Sequence, residues 1–194
     1  MRSWNALPAC ALISAGEISR EFAAAGARDF RGAARYVHAL PYGRNSNRTD
    51  PLIVIREHRG TCSTKHALLK RLADEQQLEI ALMIGIYYMN ERNTPGVGRV
   101  LEECGLESIP EAHCYLRYQD GRIDVTREAA GGPAEPIARF LHEEEISPEQ
   151  IGDYKIALHQ RWMRGWLASP DAPRSFDFDE LWKIREACIA ALAQ

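Results

Sequence analysis

Arg59-Gly60-Thr61-Cys62-Ser63-Thr64-Lys65-His66-Ala67-Leu68-Leu69 is the stretch on which the fold turns. Small residues at 60 and 61 make a turn, and Cys62 follows at the start of an amphipathic helix predicted over 63–76, with Leu68, Leu69 and Leu72 on one side. The first backbone N–H groups of a helix lack internal acceptors and carry partial positive charge. A thiol placed there is biased toward thiolate, its reactive form. The same N–H groups can hold an oxyanion as it develops on an attacked carbonyl. Gly60 leaves room for an acyl substrate to approach the backbone. Against this stands a plainer explanation: buried cysteine is among the commonest core residues.

Downstream, Pro110-Glu111-Ala112-His113-Cys114-Tyr115-Leu116-Arg117-Tyr118 reads as a strand. His113, Tyr115 and Arg117 share one face, and Cys114, Leu116 and Tyr118 the other, which makes Cys114 a structural residue. Asp120-Gly121, between Glu111–Tyr118 and Arg122–Thr126, marks a hairpin. In Ile123-Asp124-Val125-Thr126, the aspartate and threonine form the polar face. A two-residue turn at Asp120-Gly121 would pair Arg117 with Asp124 and leave His113 roughly 13 Å along the strand. An orienting hydrogen bond spans about 2.6–3.2 Å. For Asp124 to reach His113, the hairpin has to use a longer or bulged loop. Glu111 and Asp120 are the other carboxylates in this segment.

Gly-x-Cys opening a helix, then a histidine on a strand, then Asp-x-Thr ending the next strand resembles the transglutaminase-like superfamily. That superfamily shares its Cys-His-Asp arrangement with papain-like peptidases and arylamine acetyltransferases. The resemblance covers about residues 50–127. It implies a papain-like core, a helix packed on an antiparallel sheet, with Cys62 as nucleophile, His113 as its base and Asp124 as the group orienting that base. It implies attack on an amide or ester carbonyl, a thioester acyl-enzyme, and release to water or an amine, with no metal or organic cofactor. The substrate is then a peptide, a protein or a small acyl compound. Superfamily membership does not choose among these reactions, and a non-catalytic module that binds a peptide or protein is the alternative. Two departures stand out: Asp124 follows His113 by only 11 residues, fewer than is usual in the family, and Tyr115 rather than a tryptophan is the nearest aromatic to the histidine.

Four further residues are candidates for the substrate side of such a site. Asn45 and Asn47 lie in the turn-rich loop Pro41-Tyr42-Gly43-Arg44-Asn45-Ser46-Asn47 and could complete an oxyanion hole, although turn asparagines more often bond their own backbone. Gly60 and Tyr115 complete the set. Cys62 and His66, four apart on the helix, could be drawn into a zinc site with His113 and Cys114. Cys114 faces the wrong way for that, and His66 reads as a packed or surface residue.

The remaining chain frames this centre. Helices are predicted on both sides of Gly26, the second capped by Asp29, and the apolar run Leu52-Ile53-Val54-Ile55 is expected to be buried. Leu78 to Met89 suits a buried strand, and 97–104 a short helix ending at Gly105. Gly96-Val97-Gly98 lacks the strand-before-helix context of a phosphate loop. Gly131-Gly132-Pro133 reads as a linker, dividing a core of 1–130 from a helical extension of 131–194. In that extension Glu143-Glu144-Glu145 reads as a solvated charge run. Ser147-Pro148-Glu149-Gln150 opens a helix to about Ala168, which Pro170 and Pro173 break, and a last helix covers about 178–192. Trp162, Trp166 and Trp182 read as helix-packing residues. Helices, a strand-containing middle, then helices make an α+β order.

The 194 residues carry a formal net charge of −3, with 45% hydrophobic and 26% charged residues. Those proportions suit a globular domain and give no reason to expect nucleic acid or an anionic membrane as partner. Five cysteines, Cys10, Cys62, Cys104, Cys114 and Cys188, include no Cys-x-x-Cys pair, and an odd count argues for free thiols in a reducing, cytoplasmic compartment. Leu7-Pro8-Ala9-Cys10, after Arg2, resembles a lipoprotein cleavage site, but the apolar run lies mostly after the cysteine, so no signal peptide is expected. No apolar run approaches a membrane span.

Overall fold

Helix α4 (Cys62–Glu75) shows what organises its part of the molecule. From Cys62 to Leu69 every residue is buried, and Leu69 and Leu72 are fully so. A helix enclosed on all sides has no solvent stripe, and burying each leucine contributes about 1.5–3 kcal/mol. In the computed structural model, which describes residues 3–13, 15–127, 135–170, 172 and 175–193, the architecture is α+β. By their contacts the residues form two units: 1–84 with 114–127 and 144–152, and 85–113 with 128–143 and 153–194. Each is thus built from separated stretches of chain. The expected division at 130/131 follows Gly131-Gly132-Pro133, a linker that lies outside the described residues.

In the first unit, α4 is packed by α1 (Glu17–Ala24), α2 (Phe30–Ala39), α3 (Ile53–Arg56) and a 3-10 turn at Pro148–Ile151. Helix α2 starts where its cap predicts: the Asp29 carboxylate accepts the Gly32 N–H at 2.6 Å. Helix α1 starts differently. Its first turn donates Ile18 N–H and Ser19 N–H to the Glu75 carboxylate of α4, at 3.0 and 2.7 Å. The run Leu52-Ile53-Val54-Ile55 is buried as expected, Ile53 to Ile55 as the short α3. A 3-10 turn at Ser3–Ala6 packs on α2 and on the strand Gly121–Ile123, with the Trp4 ring 4.2 Å from that of His38.

In the second unit, α5 (Gly98–Glu103), α6 (Asp153–Leu167) and α7 (Phe178–Ala191) pack around Tyr87, Met89, Leu101, Ile109, Met163 and Leu181. Helix α5 ends at Gly105, whose φ of 66° is the left-handed conformation its position requires. Helix α7 begins with a reciprocal cap, Asp177 accepting from Glu180 N–H and Glu180 accepting from Asp177 N–H.

The sheet has four strands in the order β3-β2-β1-β4: β1 (Ala81–Met89), β2 (Ile109–Tyr118), β3 (Gly121–Ile123) and β4 (His142–Ile146). Strand β1, central in that order, is buried at seven of its nine positions, so it reads apolar throughout rather than alternating. Three sequence expectations need correction here. The hairpin turn is Gln119-Asp120, with Gln119 at φ 51°, and pairs Arg117 with Arg122, not with Asp124. The two registers differ by one residue on each strand, so both keep the same side chains on the same face, and apolar patterning cannot distinguish them. The extension expected to be helical also holds a strand: Glu143-Glu144-Glu145 lies in edge strand β4, where charges discourage pairing with another chain. Finally, the helix expected from Pro148 is a 3-10 turn followed, after Gly152, by α6. Its cap is as predicted, with Ser147 N–H donating to the Gln150 side chain at 2.8 Å.

Candidate functional site

Cys62 is the first residue of α4, after Thr61 in extended conformation. The turn is fixed by a short relay. Thr61 N–H donates to the Thr64 hydroxyl at 3.0 Å, and that hydroxyl donates to Asn45 Oδ1 at 2.7 Å. Asn45 in turn donates through Nδ2 to Glu57 and to the Arg59 carbonyl. Bonds from Ser46 and then Asn45 hold the Glu57 carboxyl near 2, well below the usual carboxylate range. Both amide hydrogens of Asn45 therefore point at the loop before Cys62, and in this arrangement it braces that loop. Asn47 bonds locally, its Oδ1 accepting from the Thr49 N–H and hydroxyl. Gly60 is buried, and a Cβ there would lie 2.9 Å from Lys65 Cγ, 3.0 Å from Thr64 Oγ1 and 3.1 Å from Val54 Cγ2. Its lack of a side chain is thus used by the packing of this turn.

Around the sulfur, Cys62 is 7% exposed, and its Sγ lies 3.8 Å from the Ser63 hydroxyl. The Cys114 sulfur lies 3.7 Å from the same hydroxyl. Cys114 is fully buried, in keeping with a structural role.

Two neighbours on α4 gave no sequence signal equal to their position. Lys65 is fully buried, with Nζ donating to the Leu40 and Thr126 carbonyls at 2.6 and 2.7 Å. Burial pulls its pKa down to about 8, and the opposing charges of Asp124 and Cys62 limit the fall. A buried ammonium within electrostatic reach of the thiol favours thiolate. His66 is also fully buried. Val125 N–H can only donate, so His66 Nε2 accepts from it at 2.9 Å, and Nδ1 carries the proton given to the Cys62 carbonyl at 2.7 Å. Both ring nitrogens are thereby committed to backbone, which takes His66 out of any metal set and makes it a clamp between α4 and the segment after β3. Among the described residues no group of three or more His, Cys, Asp or Glu is placed to hold a metal ion.

Asp124 follows β3, where the chain leaves the ladder. Its Oδ1 accepts the Thr126 N–H at 2.8 Å and lies 3.7 Å from His66 Nε2, with the side chain 45% exposed. Tyr115 is buried on β2, the Arg122 guanidinium lying 6.0 Å from the centre of its ring.

His113 lies in the second unit, buried on β2, with the Tyr87 ring edge-on at 6.0 Å. Two residues earlier on that strand, Glu111 is joined to Arg185 of α7 by paired bonds of 2.7 and 2.6 Å. Burial would raise the Glu111 pKa, but Arg185, then His159, outweigh it and hold the carboxyl below its usual range. His159 Nε2 lies 2.8 Å from the Pro110 carbonyl and 4.0 Å from Glu111. Glu111 is thus the partner of a helix α7 cation.

All five cysteines are free thiols: Cys62, Cys114 and Cys188 buried, Cys10 and Cys104 partly exposed. Burial, then Glu111 and Cys104, pushes the Cys188 thiol up to about 11, so it is inert at neutral pH. No helix among the described residues is long and apolar enough to cross a membrane. Neither protein-family models, nor curated proteins, nor solved structures gave a match to this chain.

Proposed function

We propose that the protein is a cysteine-dependent acyl-transfer enzyme of the transglutaminase-like kind, with Cys62 as nucleophile. The observation that carries this is the setting of that thiol: first residue of a helix, backed by a relay of hydrogen bonds, with the buried Lys65 ammonium in electrostatic reach. A helix start and a fixed cation both lower the free energy of a thiolate. The base is assigned to His113 and its orienting carboxylate to Asp124 on the sequence pattern alone, since the two-residue turn at Gln119-Asp120 is not the longer or bulged loop that this pairing calls for. His113 takes the Cys62 proton, the resulting thiolate attacks an amide or ester carbonyl, and the carbonyl π electrons move onto oxygen, where helix N–H groups receive the charge. The tetrahedral species collapses to a thioester as the leaving amine or alcohol takes the proton from His113. Water or an amine, deprotonated by the same histidine, then releases the acyl group.

The test uses p-nitrophenyl acetate as acyl donor and iodoacetamide as alkylating probe, both read by peptide mass spectrometry. Exposure alone favours Cys10 and Cys104 over the 7% exposed Cys62. Acetylation and alkylation concentrated on Cys62, and lost in Cys62→Ala, support the assignment. Acyl turnover that survives Cys62→Ala rejects it, and labelling that follows exposure instead rejects it and leaves a binding module as the better reading.

A further inference from the structure

Within the second unit, α6 borders a cleft of about 610 Å³ whose walls are aromatic. Tyr88 of β1 and Trp166 lie tilted against each other with ring centres 6.3 Å apart, and Trp162 lies tilted against His142 at 5.7 Å. Tyr88 is 39% exposed, one of few large apolar side chains in that state. The volume lies in the range of small-molecule sites.

The decisive residue is Gly165, on the cleft between the two tryptophans. A glycine inside a helix costs about 1 kcal/mol relative to alanine. Its backbone is helical, so no left-handed conformation requires it. A Cβ built there would meet nothing within 4 Å, so no neighbouring group excludes a side chain. What its bareness provides is open space in the cleft wall. Arg161, one turn earlier on the same face, brings the only formal charge that is permanent among the described lining residues, and no carboxylate is among them. Flat apolar walls and one guanidinium select a flat, apolar, anionic ligand.

We infer that this cleft binds a small aromatic carboxylate, its ring between Tyr88, Trp162 and Trp166 over Gly165, its carboxylate on Arg161. The inference does not depend on the chemistry of Cys62. It is tested with 2-naphthoate and its neutral analogue 2-naphthalenemethanol, titrated calorimetrically and by the indole N–H resonances of the full-length protein. Saturable one-to-one binding should shift the Trp162 and Trp166 signals and leave Trp4, in the first unit, unmoved. The carboxylate should bind about tenfold more tightly than the alcohol, the preference a charge-assisted pair confers. Gly165→Leu should weaken both compounds by more than about tenfold while the melting temperature holds or rises, because leucine is the better helix former. Arg161→Gln, at an exposed position, should remove the preference and leave the alcohol unaffected. The proposal fails if wild-type protein shows no saturable 2-naphthoate binding, or if Gly165→Leu binds as wild type or is destabilised. A carboxylate preference that survives Arg161→Gln also overturns it.

Discussion

Replacing Glu111 by glutamine should unfold the protein far more easily although almost no volume changes. Glu111 is 4% exposed and the Arg185 side chain 11%, joined through two bonds of 2.7 and 2.6 Å. Lys155 adds a second cation in electrostatic reach. Glutamine keeps one acceptor but turns an N–H₂ toward the guanidinium, and the buried cations lose their counter-charge. Removing one partner of such a pair costs about 3–5 kcal/mol. Glu186, bonded to Arg185 Nη1 at 2.6 Å, remains, so the loss should fall near the lower end, about 3–4 kcal/mol. For a chain of this size that lowers the melting temperature by about 6–16 °C. Urea unfolding followed by tryptophan fluorescence measures it. The pH dependence has a defined sign. The folded pKa of Glu111 is lowered, so the pair's contribution is complete above the unfolded carboxylate pKa of about 4.3 and fades as pH falls through the folded value. Wild type and Glu111→Gln should therefore converge in acid, and Glu111→Leu combined with Arg185→Met should recover much of the loss at neutral pH. A deficit under about 1 kcal/mol, or one unchanged between pH 7 and pH 3, refutes the reasoning.

Asp124→Asn should lower acyl turnover by roughly ten- to a thousand-fold, about 1.4–4 kcal/mol of barrier, with little change in urea unfolding, because an amide oxygen can still accept the Thr126 N–H. Unchanged turnover would remove Asp124 from the orienting role. Lys65→Met should slow iodoacetamide labelling of Cys62 at pH 7 by about tenfold, the low end of what an adjacent opposite charge does to a thiolate population; a rate equal to wild type shows that the ammonium does not act on the sulfur. Gly85→Val should cost about 2–3 kcal/mol in urea, because a Cβ on this β1 glycine would overlap the Phe140 ring; a stable variant means the ring moves aside. Glu75→Ala should cost about 1–2 kcal/mol, as lost helix caps do, and native-state hydrogen exchange should show faster exchange at Ile18 and Ser19 than elsewhere in α1.

The elements legible in the sequence are those fixed by neighbours in the chain. Asp29 announces α2, Gly105 ends α5, Ser147-Pro148 caps the turn before α6, and the Leu68–Leu69–Leu72 pattern marks α4. What stayed hidden depends on partners far away. The hairpin register was hidden because a shift of one residue on each strand preserves the apolar face. Strand β4 was hidden because His142-Glu143-Glu144-Glu145 shows no alternation, as an edge strand need not. Lys65 and His66 lie in the first two turns of α4, which are enclosed all round, so polar residues there mark no outer face; their acceptors are at Leu40, Thr126 and the Cys62 carbonyl. Glu111 looks from the sequence like a spare carboxylate for His113, and only its Arg185 partner, 74 residues on, shows otherwise.

The Glu75 cap on α1 has a consequence for the order in which the chain acquires structure. Helix α1 has eight residues, too short to persist in water unaided. Its opening N–H groups at Ile18 and Ser19 find their acceptor 57 and 56 residues later, on the last turn of α4. Gly16 fits the arrangement, since any Cβ there would overlap the same carboxylate. Helix α2, at ten residues also short, carries its own cap in Asp29, so its start depends on nothing made later. Helix α1, although it comes first in the sequence, has to wait until Glu75 has left the ribosome and α4 has folded. In a growing chain, then, α1 settles after α2 although it is made before it.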